Sequence, residues 1–457
     1  MTPLQTTLSR RAVIKSLVGS SILLPGIISE LLASEAARAS STFDPLAPRA
    51  PHFPAKARRV IFIYATGGVS HIDTFDPKSM DKGRDGSAKE KLMGSQWPSK
   101  PNPRCGTVIT DLFPHLREVM DDICVVRSMK SAHFDHSEAT LGFHTGSATF
   151  ARPSMGSWVS YGLGTVNRDL PSFVVIAPNL PYAGTQVYAN DFLPAYHQGT
   201  RVIPGADPIA NLKPKGGELQ ELELGLMEAF NKGHLKQRKH DTALAARIKS
   251  FETAFQMQRA APEAFDLSSE PQHIRDLYGL DHKQKGPAKD FGWQCIVARR
   301  LVERGVRFIE LVDTGSRPNW DSHGDMKEHA ELALNVDQPM AALIKDLKQR
   351  GMLDDTLVLW ATEFGRTPAR EGNNGRGHHG TCFSIWLAGG GIKGGIVYGE
   401  TDDIGAKIVR DPVEVHDIHA TVLHLLGIDH ERLTYRHAGR DFRLTDVHGN
   451  LIKPILA

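Results

Sequence analysis

Several short segments of this 457-residue chain carry carboxylates and imidazoles at spacings that suit a metal centre. One runs Gly67-Gly68-Val69-Ser70-His71-Ile72-Asp73-Thr74-Phe75-Asp76, and another holds Arg127, His133, Asp135, His136 and His144-Thr145-Gly146. A third contains Asp313 and then Trp320-Asp321-Ser322-His323. The last begins Glu363-Phe364-Gly365-Arg366 and continues to Gly375-Arg376-Gly377-His378-His379-Gly380. Neutral imidazole is the commonest transition-metal ligand, and the 21 histidines concentrate near 133–144, 323–329, 378–379 and 416–424. In extended backbone, residues two apart point the same way, so Asp321 and His323 suit one metal. The glycines around His378 and His379 let the backbone turn both rings toward a common centre. Singly, each of these is weak, because strand-end carboxylates are also common helix caps. Their convergence on one edge is what points to a metal. His416, His419 and His424 lie on a predicted helix and read as surface or satisfied core groups, with Asp417 as its cap.

Convergence requires elements that bring the segments together. The runs 60–64, 123–126, 173–176, 308–312, 356–360 and 384–387 are short and apolar on both faces, as in a covered parallel sheet. Helical patterns lie between several of them. Residues 288–304 end at Gly305, 326–350 at Gly351 with a break expected at Pro339, and 415–426 at Gly427. Helix, glycine and strand in alternation mark right-handed crossovers. The expected fold is a three-layer α/β/α sandwich around a mostly parallel sheet. Ligands bind such sheets at the C-terminal ends of the strands, which is where the polar segments fall. Residues 177–287 show no clear strand pattern. Loops and two charged helices near 217–230 and 241–259 read as a helical insertion or cap.

Composition is ordinary, at 40% hydrophobic and 23% charged with net charge +2, and it lacks the basic stripe of a nucleic-acid binder. Cys105, Cys124, Cys295 and Cys382 form no CxxC pair, which excludes zinc-ribbon and thioredoxin motifs. A disulfide is permitted but not specified. Ser9-Arg10-Arg11-Ala12-Val13-Ile14-Lys15 matches the twin-arginine export pattern, and Ala37-Arg38-Ala39 offers a cleavage site. Residues 1–39 are thus an expected signal peptide, 40–57 a linker and 58–457 the working domain. The protein is expected to be exported by the twin-arginine translocase to the periplasm or beyond. Residues 16–32 are marginal for a span, a retained anchor being the alternative. No later segment is apolar enough to cross a bilayer.

Seven stretches carry a family resemblance: GGVSHIDTFDPK, HTGSATFARPSMGSWVSYGLG, NWDSHGDM, ATEFGRTP, GRGHHG, LAGGGIKGG and VHDIHATVLHLLGID. Their order resembles the alkaline phosphatase and sulfatase superfamily. More closely, the chain looks like the exported domain-of-unknown-function 1501 family grouped with it. The resemblance implies an alkaline-phosphatase-like domain with one or two divalent metals, zinc or manganese favoured. It implies one metal on Asp321, His323 and either His378 or His379. The second site departs from the pattern, with Thr66 in place of Asp and Glu363-Phe364 in place of an Asp-His pair. Nine residues before Thr145, where relatives keep a nucleophile, stands His136, with Ser137 next. His136 then becomes a ligand of an altered second site with Glu363, His71 or Asp73, or else a nucleophile or general base. The ligand role is preferred because it restores lost coordination.

The implied activity is metal-dependent hydrolysis of sulfate, phosphate or related anionic esters, on a small molecule or a glycan. Arg127 and Arg366 are candidate anion clamps, since guanidinium pairs bidentately with such groups. The alternative for each is a structural ion pair. The alternative for the whole is a non-catalytic exported binding or scaffold protein with a degenerate site.

Overall fold

In the computed structural model, the described residues are 44–80, 92–205, 207–209, 225–227, 230–231, 233–235, 237–238, 242–281, 291–315 and 318–457. The expected signal segment lies outside them. The principal strands are β1 (Arg59–Tyr64), β2 (Ile123–Lys130), β3 (Phe173–Ile176), β4 (Thr200–Val202), β5 (Phe308–Val312), β6 (Thr356–Ala361), β7 (Gly365–Glu371), β8 (Gly375–His379), β9 (Phe383–Ala388), β10 (Ile396–Tyr398) and β11 (Val413–Glu414). The principal helices are α1 (His136–Thr145), α2 (Met155–Leu163), α3 (Thr242–Phe265), α4 (Phe291–Glu303), α5 (Glu328–Gln349) and α6 (Val415–Leu425).

Nine strands form one sheet in the order β10-β2-β9-β6-β1-β5-β3-β4, with β11 also paired to β2. Strand β9 is antiparallel to its neighbours β2 and β6, and the other pairings are parallel. The two faces of β1 show why its run is apolar throughout. Ile61 and Ile63 enter one core, which α3, α4 and α5 cover. Val60, Phe62 and Tyr64 enter a second core, which α1, α2 and α6 cover. Side chains that alternate between two buried faces give a mostly parallel sheet between two helical layers.

Three details differ from the expected elements. Pro339 lies inside an unbroken α5. Proline removes one helical hydrogen bond, but the buried stripe of Leu332, Val336, Met340, Leu343 and Leu347 holds both halves against the sheet. Within 177–287, β4 pairs in parallel with β3 and extends the sheet edge. A three-residue strand is too short to show a period. The helix expected near 217–230 falls mostly outside the described residues. Residues 52–57, read as linker, are hydrogen-bonded to the end of α6, through His52 N–H to Gly427 O and Lys56 N–H to Leu425 O. No helix among the described residues is long and apolar enough to cross a membrane.

Candidate metal centre

Strands β1, β2, β5 and β6 run in the same direction, so their C-terminal ends share one edge. The segment after β2 leads into α1, which opens at His136. Asp135 caps this helix, its carboxylate accepting the Ser137 N–H at 2.9 Å. Glu363 follows β6 and is fully buried. Its Oε1 accepts the Gly67 N–H at 2.8 Å and lies 2.7 Å from His136 Nδ1. Its Oε2 accepts from Tyr64 at 3.2 Å and Thr362 at 3.1 Å. Burial works against the Glu363 charge, but the hydrogen bond and charge of His136 outweigh it and lower its pKa. Gly67 must be glycine here. Its φ is +115°, and a Cβ would stand 2.6 Å from the Trp320 nitrogen.

Asp321 comes from the loop after β5. Buried Asp313 ties this loop, accepting from the Thr66 N–H at 3.2 Å and from the Trp320 indole. Burial pushes Asp313 up to about 6 against those hydrogen bonds. His323 follows Asp321, and His378 sits on β8. Cross-strand pairing in the β7–β8 hairpin places His378 opposite Arg366.

Three imidazoles meet one carboxylate oxygen. Nε2 of His323, His136 and His378 lie 2.9, 3.3 and 3.3 Å from Asp321 Oδ1, and the first and last are 2.9 Å apart. Among the described residues, His136, Asp321 and His378 each offer a ligand atom, and these atoms lie within 4.8 Å of one another. The other ring nitrogens are all occupied. His378 Nδ1 donates to the Phe134 carbonyl at 2.7 Å, His323 Nδ1 to Glu371 at 2.9 Å and His136 Nδ1 to Glu363. A carbonyl or carboxylate can only accept, so each Nδ1 carries a proton and each Nε2 is turned toward Asp321, that of His323 also lying 3.3 Å from Arg366 Nη1. His136 Nε2 is buried, 3.3 Å from Asp321 Oδ1. Burial disfavours the His136 cation, yet its bonds to Asp321 and Glu363 prevail and lift its pKa to about 9. The same bonds from His136 and His378, with Arg366, hold Asp321 far below the usual carboxylate range despite its burial. This donor set fits a divalent metal, which would supply the positive charge that the converging lone pairs lack.

Other residues from the sequence reading take different places. Glu363 has both oxygens engaged and orients His136 rather than offering a ligand atom. His379 points away from His378, as adjacent strand residues do, and its Nε2 lies 2.9 Å from the Ala406 carbonyl. The flanking glycines therefore do not turn both rings to one centre. His71 joins His379, with ring centroids 6.1 Å apart, and donates to Gly405 O at 2.8 Å. Burial lowers His71 to about 4. Asp73 is spent on a fully buried pair with Arg376 at 2.7 Å. Arg127 binds the Phe75 and Val108 carbonyls and pairs with Asp76, away from the imidazoles. Arg366 does reach Asp321, at 2.5 Å, but its other donors go to the Gly67, Gly68 and Arg376 carbonyls and to His323 Nε2. Both guanidinium groups are thus held by acceptors of the protein itself. His419 is buried and bonded to Phe143 O, and Asp417 joins Glu414 in a capping box.

Some participants carried no sequence signal. Glu371 ends β7, outside the polar segments Glu363–Arg366 and Gly375–Gly380. Tyr64 looks like any strand aromatic, although its hydroxyl holds Glu363. Tyr182 stacks on His136 with centroids 4.1 Å apart. The Phe134 carbonyl that fixes His378 is a backbone group and has no residue signature.

Fold and site together define a three-layer α/β protein with a histidine–carboxylate cluster at the carboxyl edge of its sheet. Residues 57–456 match the family model described as "Protein of unknown function (DUF1501)", and the chain belongs to that family. No curated protein matches it in sequence. Among solved structures, it is similar to the PsFucS1 sulfatase from Pseudoalteromonas sp. at 14% identity and TM-score 0.36, covering 88% of this chain and 71% of that one. It is also similar to an alkaline phosphatase superfamily protein from Vibrio parahaemolyticus, at 12% identity and TM-score 0.38, covering 86% and 74%. The lipoteichoic acid synthase LtaP from Listeria monocytogenes is similar at 10% identity and TM-score 0.39, covering 87% and 78%.

Proposed function

We propose that this protein is an exported, metal-dependent hydrolase of sulfate, phosphate or related anionic esters. The observation that carries the reading is the convergence of three Nε2 atoms on Asp321 Oδ1, each with its Nδ1 tied to an acceptor. Three imidazoles and one carboxylate suit zinc or manganese. A divalent metal there would polarise the ester oxygens and activate water. His136, His323 and His378 hold it, and Asp321 neutralises part of its charge. Glu363, Glu371 and the Phe134 carbonyl fix the rings. Phe134 is 72% exposed beside the cluster, and it offers an apolar surface to the alcohol part of a small ester or glycan.

A second reading, an exported binding or scaffold protein, draws on one observation. Arg127 and Arg366, the two candidate anion clamps, both spend donors inside the protein. The two readings are separated by reconstituting the protein with zinc or manganese and assaying sulfate and phosphate esters. The hydrolase reading expects bound metal and turnover that His323→Ala abolishes. Bound metal without turnover on any ester favours the scaffold, and a protein that takes up no metal removes the hydrolase.

A further inference from the structure

We infer that a cavity between α1 and α6 receives the alcohol part of the ester, and that this part is an uncharged sugar ring. The inference rests on the hydrolase reading for the ester, while sugar binding itself needs neither metal nor turnover.

The cavity has a volume of about 400 Å³, and its walls include His133, Glu138, Gly142, His416 and His448. That volume lies within the range of small-molecule sites. It is open because α1 and its C-cap turn only Ala139, Gly142 and Gly146 toward it beyond Glu138. Packing does not require the gap at Gly142. A Cβ there would meet nothing nearer than Ala148, at 3.6 Å. Glycine also weakens a helix interior, so the space is left empty where a larger side chain would fit.

The walls match a ligand that both donates and accepts hydrogen bonds. His416 Nε2 donates to the Gly146 carbonyl at 2.9 Å, which leaves Nδ1 as an acceptor. Burial, and then the His448 ring 4.9 Å away, hold His416 below its ordinary value, so the ring is neutral at pH 7. Among the described residues, the ring nitrogens of His133 and His448 have no hydrogen-bond partner in the protein. Neutral imidazole offers one donor and one acceptor, and a hydroxyl answers both. Phosphate and sulfate oxygens only accept. Lys130 and Glu414 face each other at 2.8 Å, and Glu138 adds a further carboxylate. The walls therefore carry no unbalanced positive charge for an anion, and the charged end of the ester belongs at the metal.

One segment joins the two places. Lys130 to His133 wall the cavity, and Phe134 and His136 follow directly. The Ser131 N–H donates to Gly380 O at 2.6 Å, and the Phe134 carbonyl accepts from His378 Nδ1 at 2.7 Å. Three residues span at most about 10 Å, so His133 in the cavity wall stands within that distance of His136 at the cluster. Exposed Phe134 lies between them.

The test titrates chelator-treated protein with methyl galactoside and methyl glucoside, read by NMR of the histidine rings. Saturable binding is expected. Gly142→Leu, which fills the cavity, should weaken it about tenfold or more while melting temperature and zinc content stay as in wild type. His448→Ala, at an exposed residue, should weaken it as well. No binding of either glycoside, or binding that neither variant changes, overturns the inference. So does phosphate binding to the metal-free protein that Gly142→Leu weakens. In the active enzyme, the kcat/KM ratio of a sugar sulfate to nitrophenyl sulfate should fall about tenfold in Gly142→Leu, and an unchanged ratio overturns the cavity's part in the substrate. Sugar binding with no turnover of any ester overturns the hydrolase reading instead, and leaves a sugar-binding cavity.

Discussion

His136 and Glu363 lie 227 positions apart in the chain, and their Nδ1 and Oε1 atoms are 2.7 Å apart at the carboxyl edge of the sheet. The contact joins the first residue of α1 to the end of β6. It fixes the ring so that Nε2 faces Asp321. A carboxylate behind a ligating imidazole raises its basicity and sets its tautomer, and losing one typically costs 10- to 100-fold in metal affinity. Glu363→Gln keeps an acceptor but removes the charge. Zinc affinity, read by competition with a chromophoric chelator, should fall about tenfold or more. Unchanged affinity would remove Glu363 from the account.

The pH dependence of the metal-free protein has a definite sign. His136 is raised from its ordinary 6.5 to about 9 in the folded chain. Its stabilising contribution is therefore fully present below pH 6.5 and is lost as pH rises through about 9. The shift corresponds to roughly 3 kcal/mol. Chelator-treated wild type should melt at lower temperature at pH 9 than at pH 6.5, and His136→Asn should lose most of that slope. Metal reverses the trend, because binding must displace the proton and so strengthens with pH. A flat melting profile in metal-free wild type would contradict the geometry around His136.

The Asp73–Arg376 pair gives a control that separates scaffold from site. Both side chains are fully buried, and the pair joins the loop after β1 to β8. Removing one partner of such a pair typically costs about 3–5 kcal/mol, because the other charge is left buried alone. Asp73→Ala should lower the denaturation midpoint strongly, while any folded fraction still binds zinc. Loss of zinc binding without loss of stability would instead make Asp73 a ligand.

Much of the fold was legible because β-branched apolar runs and glycine-ended helices leave local marks. Gly305 and Gly427 have φ of +87° and +75° at the ends of α4 and α6. Asp321, His323 and His378 announced themselves by type and spacing. Whether His378 or His379 faces the cluster was settled only by hairpin register, which sequence does not print. Glu363 showed its place in the chain, while its role follows from hydrogen bonds to Tyr64, Gly67 and His136, three residues distant in sequence. The two arginines show the limit most clearly. Arg127 and Arg366 carry the charge of an anion clamp, but backbone carbonyls take their donors, and no sequence pattern marks a carbonyl as near.

Export is tested separately. Arg10→Lys and Arg11→Lys together should leave the protein in the cytoplasm on fractionation, if the segment Ser9 to Lys15 is read by the twin-arginine translocase. Normal export of that double variant would refute the route.

The central claim is that His136, His323, His378 and Asp321 together hold one divalent metal. Crystals of the zinc-loaded protein, measured on both sides of the zinc absorption edge, test it most directly. The account predicts one anomalous peak about 2.0–2.2 Å from the three Nε2 atoms and an Asp321 oxygen. A peak elsewhere, or none at this cluster with zinc in excess, would contradict it.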